Sequence, residues 1–289
     1  MDLVRIDILA AVNIVVVLVI FAIWLRSRSP SVKPSVSTGH TSSSVSTPVS
    51  GGKARLTVLV DNNPRRESLK TAWGLSVLIE TPNGTILFDV GPDPGVLAYN
   101  AGVLGVDLSK VDIIVISHGH GDHYGGLPLL SELKPEALVY VPSGSQRLAT
   151  YARKLGFKVV SVNDTVEVGP GIYVVGPLYG PPPEIALALK SKEGLILIVG
   201  CSHPGVDRIA GKAVKDIGEP LYLVLGGFHM AGVSLSTIKA KMDKLLEVGA
   251  RNIYPIHCSG EGVRSYLAQH HPQVYGDGGV GLQLALPID

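Results

Sequence analysis

Cysteine is nearly absent from this chain: two in 289 residues, Cys201 and Cys258, so no disulfide framework holds the fold. Charge is scarce as well. Charged residues make up 17% of the sequence against 46% hydrophobic, and the formal net charge is +1, a balance too apolar for a disordered protein. Nor is there a basic footprint. Of 25 basic and 24 acidic side chains, five and two fall within residues 1–53, which leaves 20 against 22 for the remainder. Such a body lacks the positive surface with which proteins neutralise phosphate backbones, so no nucleic-acid partner is expected. Turn formers abound instead. With 34 Gly and 20 Pro, short elements separated by turns are expected rather than a helical bundle. Both cysteines have histidine neighbours, His203 and His257, so metal or redox chemistry stands beside the plainer reading of two small buried residues.

One long apolar run is present. Ile8 to Leu25 spans 18 residues broken only by Asn13, nearly enough at about 1.5 Å per residue to cross a hydrocarbon core of about 30 Å. Trp24 suits the interface at one end. A cleaved signal peptide fits less well, because Arg5 is offset by Asp2 and Asp7 and no small-x-small site follows. Residues 1–26 are therefore expected to form a transmembrane helix that anchors a single-pass membrane protein. Residues 27–50 hold 13 Ser or Thr in 24 positions, with three prolines, so 27–53 reads as an extended linker. Arg26, Arg28 and Lys33 outnumber Arg5 and place the body in the cytoplasm, whereas a Ser/Thr/Pro stalk would suit the outside.

Residues 54–289 read as one α/β domain. Strands are expected at 55–60, 74–80, 85–90, 111–117, 137–141, 158–162, 171–175, 185–190, 195–199, 221–225, 252–255 and 281–286. Helices are expected at 95–101, 126–133, 146–155, 206–217, 236–247 and 262–270. The first half is mostly strand and the second alternates, which suits two packed sheets with helices outside.

The most informative segment is Val111-Asp-Ile-Ile-Val-Ile-Ser-His-Gly-His-Gly-Asp-His-Tyr-Gly-Gly-Leu127. An apolar strand runs out at Ser117, and His118, His120, Asp122 and His123 follow within six residues. Gly119 and Gly121 between them let the backbone turn tightly. Imidazole and carboxylate at that density have little structural use and suit Zn, Fe or Mn. A loop beyond a strand's carboxyl end is also where α/β folds place their sites.

The His-x-His-x-Asp-His pattern after an apolar strand resembles the metallo-β-lactamase superfamily. That resemblance implies an αββα sandwich of two mixed sheets holding one or two ions, with Zn foremost. It implies that His118 and His120 bind a first metal, Asp122 and His123 a second, and His257 supplies the last ligand. Thr85-Ile-Leu-Phe-Asp-Val-Gly91 is similar to the superfamily's early strand, so Asp89 would orient a ligand histidine. The middle ligands depart from the commonest pattern. Cys201 stands where many relatives carry a bridging Asp, and the His expected before that strand is missing from 173–177. His203 is the favoured replacement, with Cys201 a thiolate ligand or a packed thiol. His229 also follows a strand and would ligate metal or touch substrate. Asp61 and Asn62 are candidates for substrate contact or for an ordinary strand-end turn.

Val60-Asp-Asn-Asn63, Gly-Cys-Ser-His-Pro-Gly, Gly-Gly-Phe-His and His-Cys-Ser-Gly together resemble one subgroup. It is typified by the dihydropterin–ribofuranosylaminobenzene phosphate synthases of methanopterin biosynthesis. The leading expectation is a hydrolase of a phosphoester, lactone or thioester, with a phosphorylated small molecule favoured, that uses a metal-activated water with Asp122 and His229 in the chemistry. The alternative is a transferase that joins a dihydropterin-methyl diphosphate to an arylamine ribosyl phosphate and releases pyrophosphate. A third is an inactive, membrane-tethered metal-binding protein.

Overall fold

The computed structural model describes residues 53–288. Seven strands make the first sheet: β1 (Lys53–Val60), β2 (Ser76–Thr81), β3 (Gly84–Phe88), β4 (Ile113–Val115), β5 (Leu138–Pro142), β6 (Lys158–Val162) and β13 (Gln283–Pro287). Their spatial order is β13-β1-β2-β3-β4-β5-β6. The second sheet contains β7 (Val166–Gly169), β8 (Ile172–Tyr179), β9 (Pro183–Leu189), β10 (Leu195–Val199), β11 (Leu221–Gly227) and β12 (Asn252–Ile256). It runs β12-β11-β10-β9-β8-β7. Both sheets are mixed. β3 through β6 are parallel while β13, β1, β2 and β3 pair antiparallel. Likewise β10, β11 and β12 are parallel, and β7 to β10 antiparallel.

Strand periodicity explains the layering. In β10 every residue is buried, and alternate side chains enter different cores. Ile196 and Ile198 point between the sheets to join Leu56, Phe88 and Leu187. Leu195, Leu197 and Val199 point outward under helices. Each such aliphatic side chain contributes about 1.5–3 kcal/mol over exposure. The outer face of the first sheet is covered by α1 (Pro94–Leu104), α3 (Leu127–Leu133) and α4 (Gln146–Lys154), the second by α5 (Val206–Ile217), α6 (Leu235–Glu247) and α7 (Glu261–His270). Between the coverings lies the expected sandwich of two mixed sheets. A single helical turn, α2 (Gly121–Tyr124), follows β4. The sequence pattern did not reveal β7, whose exposed Val-Glu-Val-Gly edge carries too little apolar alternation.

The membrane expectation is corrected. Among the described residues no helix is long and apolar enough to cross a membrane; the longest, α6, has 13 residues where about 20 are needed. The run Ile8–Leu25, the rest of the expected anchor and linker residues 27–52 lie outside the described residues. The single-pass location and cytoplasmic placement drawn from them find no spanning helix among the described residues.

Strand direction positions the site. The carboxyl ends of β1, β3 and β4 in one sheet and of β10, β11 and β12 in the other lie at the same edge of the sandwich. They lead into Asp61, Asp89, Ser117, Cys201, His229 and His257.

Candidate metal centre

Among the described residues four non-glycine residues have left-handed backbone: Asp89, Ser202, His229 and His257, with φ of 53°, 61°, 50° and 52°. All four follow strands at this edge. Each conformation costs on the order of 1 kcal/mol or more and persists only where the surroundings enforce it. At Asp89 those surroundings are hydrogen bonds. Its Oδ1 accepts the Ser117 backbone N–H at 2.7 Å, and its Oδ2 accepts the Ser117 hydroxyl at 2.7 Å. The His123 Nδ1 lies 2.6 Å from the same Oδ2. Burial opposes a charge on His123, but Asp89 outweighs it and raises the imidazole above its ordinary range. The carboxylate thus fixes the Nδ1–H tautomer and turns Nε2 toward the centre.

Among the described residues five groups of three donors converge there, and two of them consist of imidazole and carboxylate alone. In the first, His118 Nε2 lies 3.1 Å from His120 Nδ1 and 3.3 Å from His203 Nε2. Zn–N bonds of about 2.0–2.1 Å arranged tetrahedrally place ligand nitrogens about 3.3 Å apart, so the spacing fits an ion. Burial, then the neighbouring imidazoles, push His118 well below the histidine range, and His203 falls to about 4 for the same reasons. Both keep a lone pair to donate. In the second group, Asp122 Oδ2 is 3.6 Å from His123 Nε2 and 3.5 Å from His257 Nε2. Burial opposes ionisation of Asp122, but His257 and His123 outweigh it and hold the carboxyl at about 2. His257 Nε2 is buried without a hydrogen-bond partner, which an ion would supply.

Cys201 sits between the groups, with its Sγ 3.3 Å from His123 Nε2. The Cys258 sulfur and burial both push its thiol up. Each of these two cysteines is buried and free. His229 lies at the exposed rim, its ring centre 4.5 Å from that of His203. Cys258 raises it above the ordinary histidine range despite partial burial.

The structure places Asp61 and Asn62 behind His257. Asp61 Oδ1 accepts the His257 backbone N–H at 3.1 Å. The Asn62 side chain meets His257 Nδ1 at 3.0 Å and donates to its carbonyl at 3.2 Å. His118, His120, Asp122, His123, Cys201, His203, His229 and His257 each belong to at least one group of three donors whose ligating atoms lie within 4.8 Å of one another, and Cys258 joins Cys201 and His257 in another. Sequence reasoning missed Glu184. It is 1% exposed, and its two oxygens accept the backbone N–H groups of Ser202 and His203, each at 2.8 Å. Burial pushes its carboxyl up to about 7, against those hydrogen bonds. The available signal was one carboxylate at the head of an otherwise apolar strand, Pro183-Glu-Ile-Ala-Leu-Ala-Leu189. A cavity of about 420 Å³ lies among Thr81, Tyr173 and Lys190 at the opposite strand ends, away from all of these residues.

Residues 74–209 match the family model of the Metallo-beta-lactamase superfamily. Among curated proteins, the 7,8-dihydropterin-6-methyl-4-(beta-D-ribofuranosyl)-aminobenzene-5'-phosphate synthase of Methanocaldococcus jannaschii is 28% identical over 237 residues, covering 65% of this chain and 81% of that protein. A solved structure described as a metal-dependent hydrolase of the beta-lactamase superfamily superposes with a TM-score of 0.70 at 26% identity, covering 80% of this chain and 98% of the other. A diphosphatase from the PhnP family shares the fold, with a TM-score of 0.57 at 18% identity over 82% and 99% of the two chains.

Proposed function

Because this chain carries a metallo-beta-lactamase superfamily domain, we propose that it is a metal-dependent enzyme that directs water at a phosphorylated small molecule. The observation that carries this reading is the pair of three-donor groups meeting at Cys201. His118, His120 and His203 would hold one ion, and Asp122, His123 and His257 another. The donor set suits Zn, and Fe or Mn are compatible with it. The chemistry that such ions would supply if bound there is a water acidic enough to act as hydroxide near neutral pH and Lewis-acid polarisation of a phosphoryl oxygen. Asp122 stays ionised at neutral pH and orients the attacking water. His229, raised by Cys258 and open to solvent, supplies a proton to the departing oxygen.

The name of the Methanocaldococcus relative supports a second reading, in which an arylamine replaces water as the nucleophile and pyrophosphate leaves. One experiment separates them. The purified full chain, with its metal counted, is given a dihydropterin-methyl diphosphate with and without the arylamine phosphate, and released pyrophosphate and phosphate are measured. Release that requires both substrates establishes the transferase, and release without the amine establishes the hydrolase. A chain that binds no metal, or whose release persists in His118→Ala and His120→Ala, overturns both.

A further inference from the structure

The floor of the metal centre is polar, yet one wall is a tryptophan left 59% exposed. Trp73 is held there by its neighbour. Gly74 adopts φ of 159°, and a Cβ at that position would lie 2.4 Å from the Asp122 carbonyl and 2.6 Å from Pro92 Cδ. Only glycine lets the backbone sit so close, and the contact pins Trp73 beside the loop that carries Asp122. The indole ring centre is 5.1 Å from that of His257, tilted by 54°, so part of one face rests on a candidate ligand and the remainder faces out.

A cavity of about 240 Å³ opens against this ring, bounded by Asn62, Asn63, Ala231, His257 and Gly260. Small-molecule sites commonly run from about 300 to 1,000 Å³, so this one accommodates a single ring system rather than a whole ligand. The one cationic side chain that lines it, Arg264, is already engaged. Arg264 donates to the Pro255 and Gly278 carbonyls at 3.1 and 3.3 Å and to Asp277 at 2.6 Å, which leaves no basic group to receive a phosphate. The phosphate belongs over the metal groups, and the cavity takes what is flat and uncharged.

We infer that the cavity beside His257 binds the planar heteroaromatic ring of the substrate, stacked on Trp73 with its polar edge toward the Asn62–Asn63 wall. The inference rests on the metal-centre reading above, because it assumes that the phosphorylated end lies across His257. It does not depend on whether water or an amine attacks.

The test uses the metal-loaded full chain carrying Trp24→Phe, since the sequence has two tryptophans and Trp73 then reports alone. The chain is titrated with 6-hydroxymethylpterin and, as a ring-free probe, with inorganic phosphate, following indole emission and heat. Pterin is expected to quench Trp73 saturably. Trp73→Ala should weaken its binding about tenfold or more, the usual effect of deleting a stacking platform. Trp73→Phe should stay within about threefold, and Trp73→Leu should resemble Ala, which separates stacking from bulk. Metal content and phosphate affinity should be unchanged in all three. Equal pterin affinity in Trp73→Ala, unquenched emission at calorimetric saturation, or no saturable pterin binding would overturn the inference. Failure of the metal-centre reading shows separately, as a chain that holds neither metal nor phosphate.

Discussion

Replacing Asp89 by Asn changes one atom and removes one charge, at a position whose φ of 53° asparagine tolerates. The backbone therefore has no reason to move, and the consequence falls on protons. Asp89 now accepts three hydrogen bonds, two from Ser117 and one from His123. An amide offers one accepting oxygen. With its NH2 toward His123, it donates to Nδ1 and drives the imidazole proton to Nε2, the atom that faces Asp122 and Cys201. With its NH2 toward the Ser117 N–H, two donors oppose each other in a fully buried site. Either arrangement damages the Asp122–His123–His257 group. Loss of such a supporting carboxylate costs 10- to 100-fold in metal affinity, about 1.4–2.7 kcal/mol. Chelator competition on the metal-free variant measures it, and a double-mutant cycle locates it. The loss should not add to that of His257→Ala, which disables the same group, and should add to that of His120→Ala, which disables the other. Unchanged affinity, or equal additivity with both partners, would refute the argument that Asp89 sets the tautomer.

Glu184→Gln leaves one of two buried N–H groups facing an amide that cannot accept, so a loss of about 1–3 kcal/mol in urea unfolding is expected. With it should come about tenfold weaker metal binding that does not add to His203→Ala. Asp207→Asn tests a contact remote from the site, between α5 and α6, where the carboxylate meets Lys241 at 2.6 Å and Lys244 at 3.6 Å. Burial opposes this charge, but Lys241 outweighs it and holds the carboxyl below its ordinary range. Its stabilisation is therefore full at neutral pH and disappears as pH falls through the lowered value. The variant should lose about 1 kcal/mol at pH 7, since the lysines are partly solvated, and its urea midpoint should converge on the parent's in acid.

The histidine motif was legible because its donors are neighbours in sequence, and six residues sufficed to state the chemistry. Strands such as β10 were legible because burial on both faces leaves an unbroken apolar run. What depends on contacts between distant segments was not. Whether Cys201 or His203 faces His118 could not be read from a spacing of two, since a turn with Ser202 at φ of 61° decides it: the His203 ring reaches His118, and Cys201 points at His123. Glu184 was invisible because its partners lie 18 and 19 residues further on. Asp61 and Asn62 were noticed, but their partner, His257, is 195 residues or more away. Trp73 gave no signal, because its exposure follows from the close approach of Gly74 to Asp122.

Those separations bear on how the molecule comes together. Residues 118–123 offer four donors as soon as they are made, yet each group takes its third donor from beyond residue 200, across 85 residues for His118 and His203. Contacts so remote in sequence form late, after the entropy of closing long loops has been met. Neither of the two cysteine-free groups is complete on one sheet, whereas Cys201, His203 and His229 all come from the second. Capture of ions by those two groups would thus mark the docking of the two sheets, and metal retention would report on the last stage of folding rather than the first.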